Sequence, residues 1–373
     1  MPEDVEASAR GATAEARAGI PPALEGLVAR AAREVQILAA LTPAAVAAER
    51  ERLVGELRHR RRANPRWSYT PVDHSDLRRA LDLAESALAP CEGPLHLLYL
   101  ARVRELSLEA ALCAAAGTKE VGGLARRRFA PVNAASAAAA SELCEAWITE
   151  GAPAPAGYPI LSDDPDPRSL LSQMRRAVGA LRLPFAVVAR PSLAALAATG
   201  DRFILVAAGR PVHDEDAART VLHEVEGHAC PRARAAGAAV TLVRAGTARG
   251  MDDQEGRALV LEERAGMLGA RRRRQLAARH RAVEAMLDGA SFADVAWSLA
   301  DAHGFDAADA VLVAERAFRG GDGVQPGLGR ERVYLESFVR VRARFAAYPE
   351  DEAVMASGQV AADAVDALRR CAL

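Results

Sequence analysis

Lysine is almost missing from this chain: Lys119 is the single one among 48 basic residues, and arginine carries the rest. With the abundant alanine, this bias reads as genomic composition and is given no functional weight. An excess of charge of one sign is missing too. The 48 Lys and Arg stand against 49 Asp and Glu for a net charge of −1, which gives no global attraction to nucleic acid or to an anionic membrane. Paired cysteines are absent: Cys91, Cys113, Cys144, Cys230 and Cys371 are an odd, dispersed set with no C-x-x-C. Neither a disulfide framework nor a cysteine zinc knuckle is expected. No uninterrupted apolar run reaches the ~18 residues of a membrane span, so no membrane partner is expected. The opening "MPEDVEASARGATAEARAG" is polar and acidic with no apolar centre. It reads as neither a secretory signal nor an anchor, and a cytoplasmic setting is the expectation.

What is there is enough apolar material for a large core: half of 373 residues are hydrophobic, and a chain of this length permits two domains or one elaborated domain. Residues 1–20 are poor in large apolar side chains and are expected to be a disordered tail. Residues 21–152 read as a helical N-terminal region. There "LEGLVARAAREVQILAAL" spaces Leu and Val by three and four residues, and "SDLRRALDLAESAL" offers Ser75 as an N-cap. Residues 153–168 hold five prolines and mark a connection. Residues 169–373 are expected to be the functional core. In them "LPFAVVAR" (183–190) and "DRFILVAAG" (201–209) read as two strands of a small sheet. The helices that follow are interrupted by "RGGDGVQPGLGR". The expected class is α+β, mainly α.

One stretch carries chemistry: "TVLHEVEGHACPR", residues 220–232. A histidine followed at once by a glutamate is the opening of the H-E-x-x-H zinc peptidase helix, but here His223 and His228 are five apart. On a regular α-helix that spacing separates two side chains by about 140°. Either a π-type bulge brings them back to one face, eased by Gly227, or the helix ends near Gly227. If both bind one zinc ion, a third protein ligand is needed. Glu255 in "DDQEGRALVLEE" is the best placed, and Glu226, Glu262 and Glu263 are chemical rivals. Glu224 would then act as general base.

"HEVEGH" followed about 30 residues later by "QEGRA" resembles the flavohaemoglobin expression-modulating QEGLA-motif family, relatives of the microtubule-associated tyrosine carboxypeptidases. "NPRWSY" (64–69), "RAFRG" (316–320) and "VYLESF" (333–338) are similar to further segments of that family in the same order. The resemblance implies a zincin-like core and one zinc ion per chain. It implies His223, His228 and Glu255 as ligands and Glu224 as the catalytic base. Two departures stand out: Glu226 precedes Gly227 where relatives usually carry glycine before threonine, and Arg257 takes the place of leucine in Q-E-G-L-A.

The expected function is a single-zinc metallopeptidase trimming the C-terminus of a peptide or protein. One alternative is an endopeptidase or leader peptidase that matures a modified peptide. Another is an inactive regulatory or binding protein on the same scaffold. Tyr334 and Arg319 are candidates to bind the oxyanion or a substrate carboxylate. Tyr334 is equally readable as a core aromatic, and Arg319 as a helix C-terminal charge. The clusters "RHRRR" (58–62) and "RRRR" (271–274) read as solvated helix faces. If they face the cleft instead, they favour an acidic substrate.

Overall fold

In this computed structural model the described residues are 20–191 and 193–371, so all but the last residue of the expected tail lies outside them. The N-terminal helices are α1 (Pro22–Glu34), α2 (Ile37–Ala40), α3 (Val46–Arg58), α4 (Ser75–Leu88), α5 (Pro94–Ala114), α6 (Glu120–Arg128) and α7 (Ala134–Ile148). Local chemistry starts several of them. Pro94 opens α5, where its missing N–H is not needed, and the Asn133 side chain accepts the Ser136 N–H at the head of α7. Ser75 is not the cap of α4 but its first residue; the Asp73 carboxylate accepts its N–H at 2.8 Å.

After the proline-rich connection come β1 (Ile160–Leu161), α8 (Leu170–Ala180), β2 (Ala186–Arg190), β3 (Ala197–Thr199), β4 (Phe203–Ala207) and β5 (Pro211–Val212). The two expected strands are β2 and β4, and they pair in parallel with Val188 opposite Leu205. β3 lies antiparallel on the other side of β4, Ala198 opposite Leu205, which makes it the edge of a three-stranded sheet. β1 and β5 form a separate antiparallel ribbon. The remaining helices are α9 (Asp214–Val221), a π segment (Leu222–Ala229), α10 (Cys230–Ala235), α11 (Thr241–Ala245), α12 (Gly250–Arg264), α13 (Ala270–Leu287), α14 (Phe292–Asp301), α15 (Ala307–Phe318), α16 (Val333–Ala347), α17 (Asp351–Met355) and α18 (Val365–Arg370). The chain is mainly helical with two small sheets, an α+β fold. Among the described residues no helix is long and apolar enough to cross a membrane.

The larger apolar core crosses the proline-rich connection. It joins Val28 of α1 and Leu106 of α5 to Phe318 of α15 and Phe338 of α16. A second, smaller core holds α8 and the sheet against the helix of the histidines, through Met174, Ile204, Val206, Val225 and Ala229. The "NPRWSY" stretch ties the ends of the chain together. The Tyr69 hydroxyl donates to the Gly321 carbonyl at 2.9 Å and accepts the Gly320 N–H at 3.1 Å. Trp67 meets Phe292 edge-on, with ring centroids 5.5 Å apart.

Candidate metal centre

α9 runs without a break into the segment that carries both histidines, and over Leu222–Ala229 the helix has π geometry. A π turn carries one residue more than an α turn, so side chains five apart share a face. The five-residue spacing is thereby explained: the two imidazole rings lie with centroids 4.9 Å apart. Gly227 serves a different need from the one the sequence suggests. A Cβ there would lie 2.7 Å from the Ala258 Cβ, so glycine is what lets the π segment touch α12. On the far side of α12, a Cβ on Gly256 would overlap the Ser337 backbone of α16. The two glycines set α12 tightly between the π segment and α16.

That close approach brings Glu255 to the histidines. Its Oε2 lies 3.3 Å from His223 Nε2 and 3.6 Å from His228 Nε2, and the three donor groups fall within 4.8 Å of one another. Among the described residues no other group of three His, Cys, Asp or Glu is placed to hold a metal ion. Both outer nitrogens are anchored: His223 Nδ1 lies 2.7 Å from Glu262 Oε1, and His228 Nδ1 lies 3.0 Å from Gln254 Oε1. Such anchoring fixes the tautomer and aims Nε2 inward. Arg272 donates to both Glu262 oxygens at 3.0 and 3.1 Å, and Arg330 donates to Glu255 Oε1 at 3.0 Å.

The electrostatics follow from these contacts. Burial works against charge on His223, but hydrogen bonds with Glu255 and Glu262 outweigh it and lift its pKa to about 9. Burial also pushes the Glu255 carboxyl up, yet its hydrogen bonds to His223 and His228, with the Arg330 charge, hold it well below the usual carboxylate range. Glu262 is held low against its own burial by Arg272 and His223. The rivals to Glu255 are thus placed: Glu262 stands behind His223, Glu263 pairs with Arg342 at 3.1 Å on the surface, and Glu226 is exposed.

The chain after His228 has its own device. Pro231 has no N–H, so the carbonyl one turn back in this continuous helix loses its backbone donor. Arg257 supplies the replacement, its Nη1 donating to Glu226 O at 3.0 Å and Gly227 O at 3.4 Å. The residue that departs from Q-E-G-L-A therefore compensates the proline.

A cavity of about 250 Å³ opens beside the cluster, lined among others by His223, Glu224, Arg279, Arg316 and Tyr334. The Thr199 hydroxyl, at the end of edge strand β3, donates to Glu224 Oε2 at 2.7 Å. Tyr334 is buried, and burial followed by the Glu255 charge raises its pKa, so the phenol keeps its proton. Arg319 lies at the C-cap of α15 and outside the cavity lining, whereas Arg316, about one turn earlier, is in it. The arginine cluster at 271–274 is largely spent on structure, and the one at 58–62 is a solvated face, as expected. Arg271 pairs with Asp216, Arg272 with Glu262 at 3.0 Å and Arg273 with Glu150 at 2.9 Å. Arg60 and Arg62 pair with Asp301 and Asp294 at 2.7 and 3.0 Å. Sequence reasoning missed Gln254, Thr199, Arg330 and the bracing role of Glu262. The one available signal was that Glu262 follows Glu255 by seven residues, two turns along the same helix face.

A mainly helical fold with a His/His/Glu cluster whose histidines are buried, a neighbouring glutamate and an adjoining cavity defines the class: a protein with a three-donor candidate metal centre beside an open cavity. The family model described as microtubule-associated tyrosine carboxypeptidase matches residues 57–372, and the chain belongs to that family. Membership carries a peptidase-like, hydrolytic function with it. No curated protein matches this chain.

Proposed function

We propose that the chain is a metallopeptidase that uses one zinc ion, held by His223, His228 and Glu255, to hydrolyse the C-terminal peptide bond of a peptide or protein, with Glu224 as proton carrier. The observation that carries this reading is the convergence of two Nε2 atoms and one carboxylate oxygen within 4.8 Å, with each outer nitrogen anchored by a separate acceptor. Two imidazoles and a carboxylate suit zinc, and they also accept cobalt or manganese. A zinc ion bound there supplies Lewis acidity, polarising a carbonyl and lowering the pKa of water to about 7.

The remaining steps belong to the chain's own residues. Glu224 takes the proton of the attacking water at its carboxylate and hands it to the leaving amine. Thr199 keeps that carboxylate turned toward the cavity by its 2.7 Å hydrogen bond. Tyr334, protonated and on the cavity wall, donates to the oxygen that gains charge during attack. Arg330 occupies Oε1 of Glu255, so Oε2, which faces both histidines, would be the oxygen offered to the ion. The substrate is a peptide with a free C-terminus. Tyrosine and microtubules in the family description belong to the protein it names, and the divergent Glu226 and Arg257 give no ground for carrying them over.

The test is Glu224→Gln. Turnover of a C-terminally randomised peptide pool should be lost while the metal content stays at the wild-type level. Hydrolysis at the wild-type rate would remove Glu224 from the mechanism.

A further inference from the structure

On the cavity wall made by α13 and α15, two arginines share a single carboxylate. Arg279 Nε and Arg316 Nη1 both approach the same oxygen, Glu331 Oε2, at 3.6 and 3.5 Å, and neither reaches a hydrogen bond with it. Arg316 Nε and that Glu331 oxygen are buried without a hydrogen-bond partner. Two other arginines of the lining are engaged, Arg272 hydrogen-bonded to Glu262 at 3.0 Å and Arg219 to Asp216 at 3.2 Å, while Arg210 is exposed and Asp309 of α15 adds a carboxylate to the lining. Burial and then the charge of Arg316 bring Arg279 down to about 10, far below an ordinary guanidinium. Arg319 stands behind them, held down by its own burial and then by repulsion from Arg316. A largely buried cation without a hydrogen-bonded partner is unfavourable. Two of them around one carboxylate, on the wall shared with His223 and Glu224, leave room for one more anion.

We propose that Arg279 and Arg316 form a cradle for the free C-terminal carboxylate of the peptide substrate and so set the bond that is cut. The proposal rests on the peptidase reading above. A guanidinium fork is matched to a carboxylate. The incoming carboxylate would supply the hydrogen bonds that Glu331 does not, and the Tyr334 ring has Arg279 Cζ at 5.2 Å and Arg330 Cζ, of the arginine that holds Glu255, at 5.7 Å.

The test uses the metal-loaded full chain in three forms, wild type, Arg316→Met and Arg316→Lys, and two probes of one shape, 3-phenylpropanoate and its uncharged amide. Titration calorimetry should show the acid binding wild type about 10²-fold more tightly than the amide, the size expected for a buried charge pair. Arg316→Met should erase that preference, and Arg316→Lys should restore part of it. Metal content should not change. The melting temperature of Arg316→Met should hold or rise, because one of two like charges around a single carboxylate is gone; a merely structural ion pair would lower it. Equal acid binding in wild type and Arg316→Met would place the carboxylate elsewhere, for instance on the metal, and overturn the proposal. A second arm compares randomised peptides as free acids and as C-terminal amides. Equal hydrolysis of both overturns the cradle and leaves the peptidase reading standing, whereas hydrolysis of neither removes both.

Discussion

The two histidines of the cluster are held by opposite means, one by charge and one by an amide. His223 rests on Glu262, which is fully buried and is itself gripped by Arg272 and, at 3.9 Å, by Arg219. His228 rests on Gln254, whose own amide nitrogen has no partner, and the backbone around it depends on Gly227 and Arg257. A carboxylate behind an imidazole raises its basicity more than an amide does. The first histidine is therefore expected to be the stronger donor and an integral part of the fold. The second is expected to be adjustable, since its supports carry no buried charge pair.

The largest effect should come from breaking the charged side. Glu262→Ala leaves Arg272 buried and unpaired, which should cost about 3–5 kcal/mol of stability and lower metal affinity 10–100-fold; thermal unfolding and chelator competition read the two losses. A smaller loss, about 1–3 kcal/mol, is expected for Gly227→Ala, because its new methyl group meets Ala258 and overpacks the contact between the π segment and α12.

Arg257→Leu should cost on the order of 1 kcal/mol. Combined with Pro231→Ala, which returns a backbone N–H to the helix, it should cost measurably less than the sum of the two single changes. Strict additivity in that double-mutant cycle would break the link between the proline and the arginine. The smallest stability change is expected for Gln254→Ala, near zero, with metal affinity lowered about 10-fold. If Gln254→Ala destabilised the protein as much as Glu262→Ala, the contrast between the two anchors would be wrong.

The three ligand candidates and Glu224 were legible because their chemistry is local. An H-E pair and a second histidine five residues on can be seen in one dimension, whereas Glu255 stood among several glutamates until the resemblance of "QEGRA" singled it out. The strands β2 and β4 were legible from their β-branched runs. Three-residue β3, "AAT", has no such signature, and so its Thr199 could not be foreseen beside Glu224. Arg316 went unnoticed and Arg319 was put forward, because a sequence does not show how a helix end is rotated. About one turn separates them, and only packing of α15 against α13 decides which faces the cavity. The cluster at 58–62 is the solvated face expected, but the second cluster misled for a related reason: Arg271 to Arg274 look like one charged face, yet they point to four different partners.

The central claim is that His223, His228 and Glu255 act together on one metal ion. Elemental analysis of purified wild type beside His228→Ala and Glu255→Ala tests it most directly. About one zinc per wild-type chain is expected, lost in both variants while each remains folded. Wild-type protein that stays free of metal after reloading with zinc, or variants that keep it, would contradict the account.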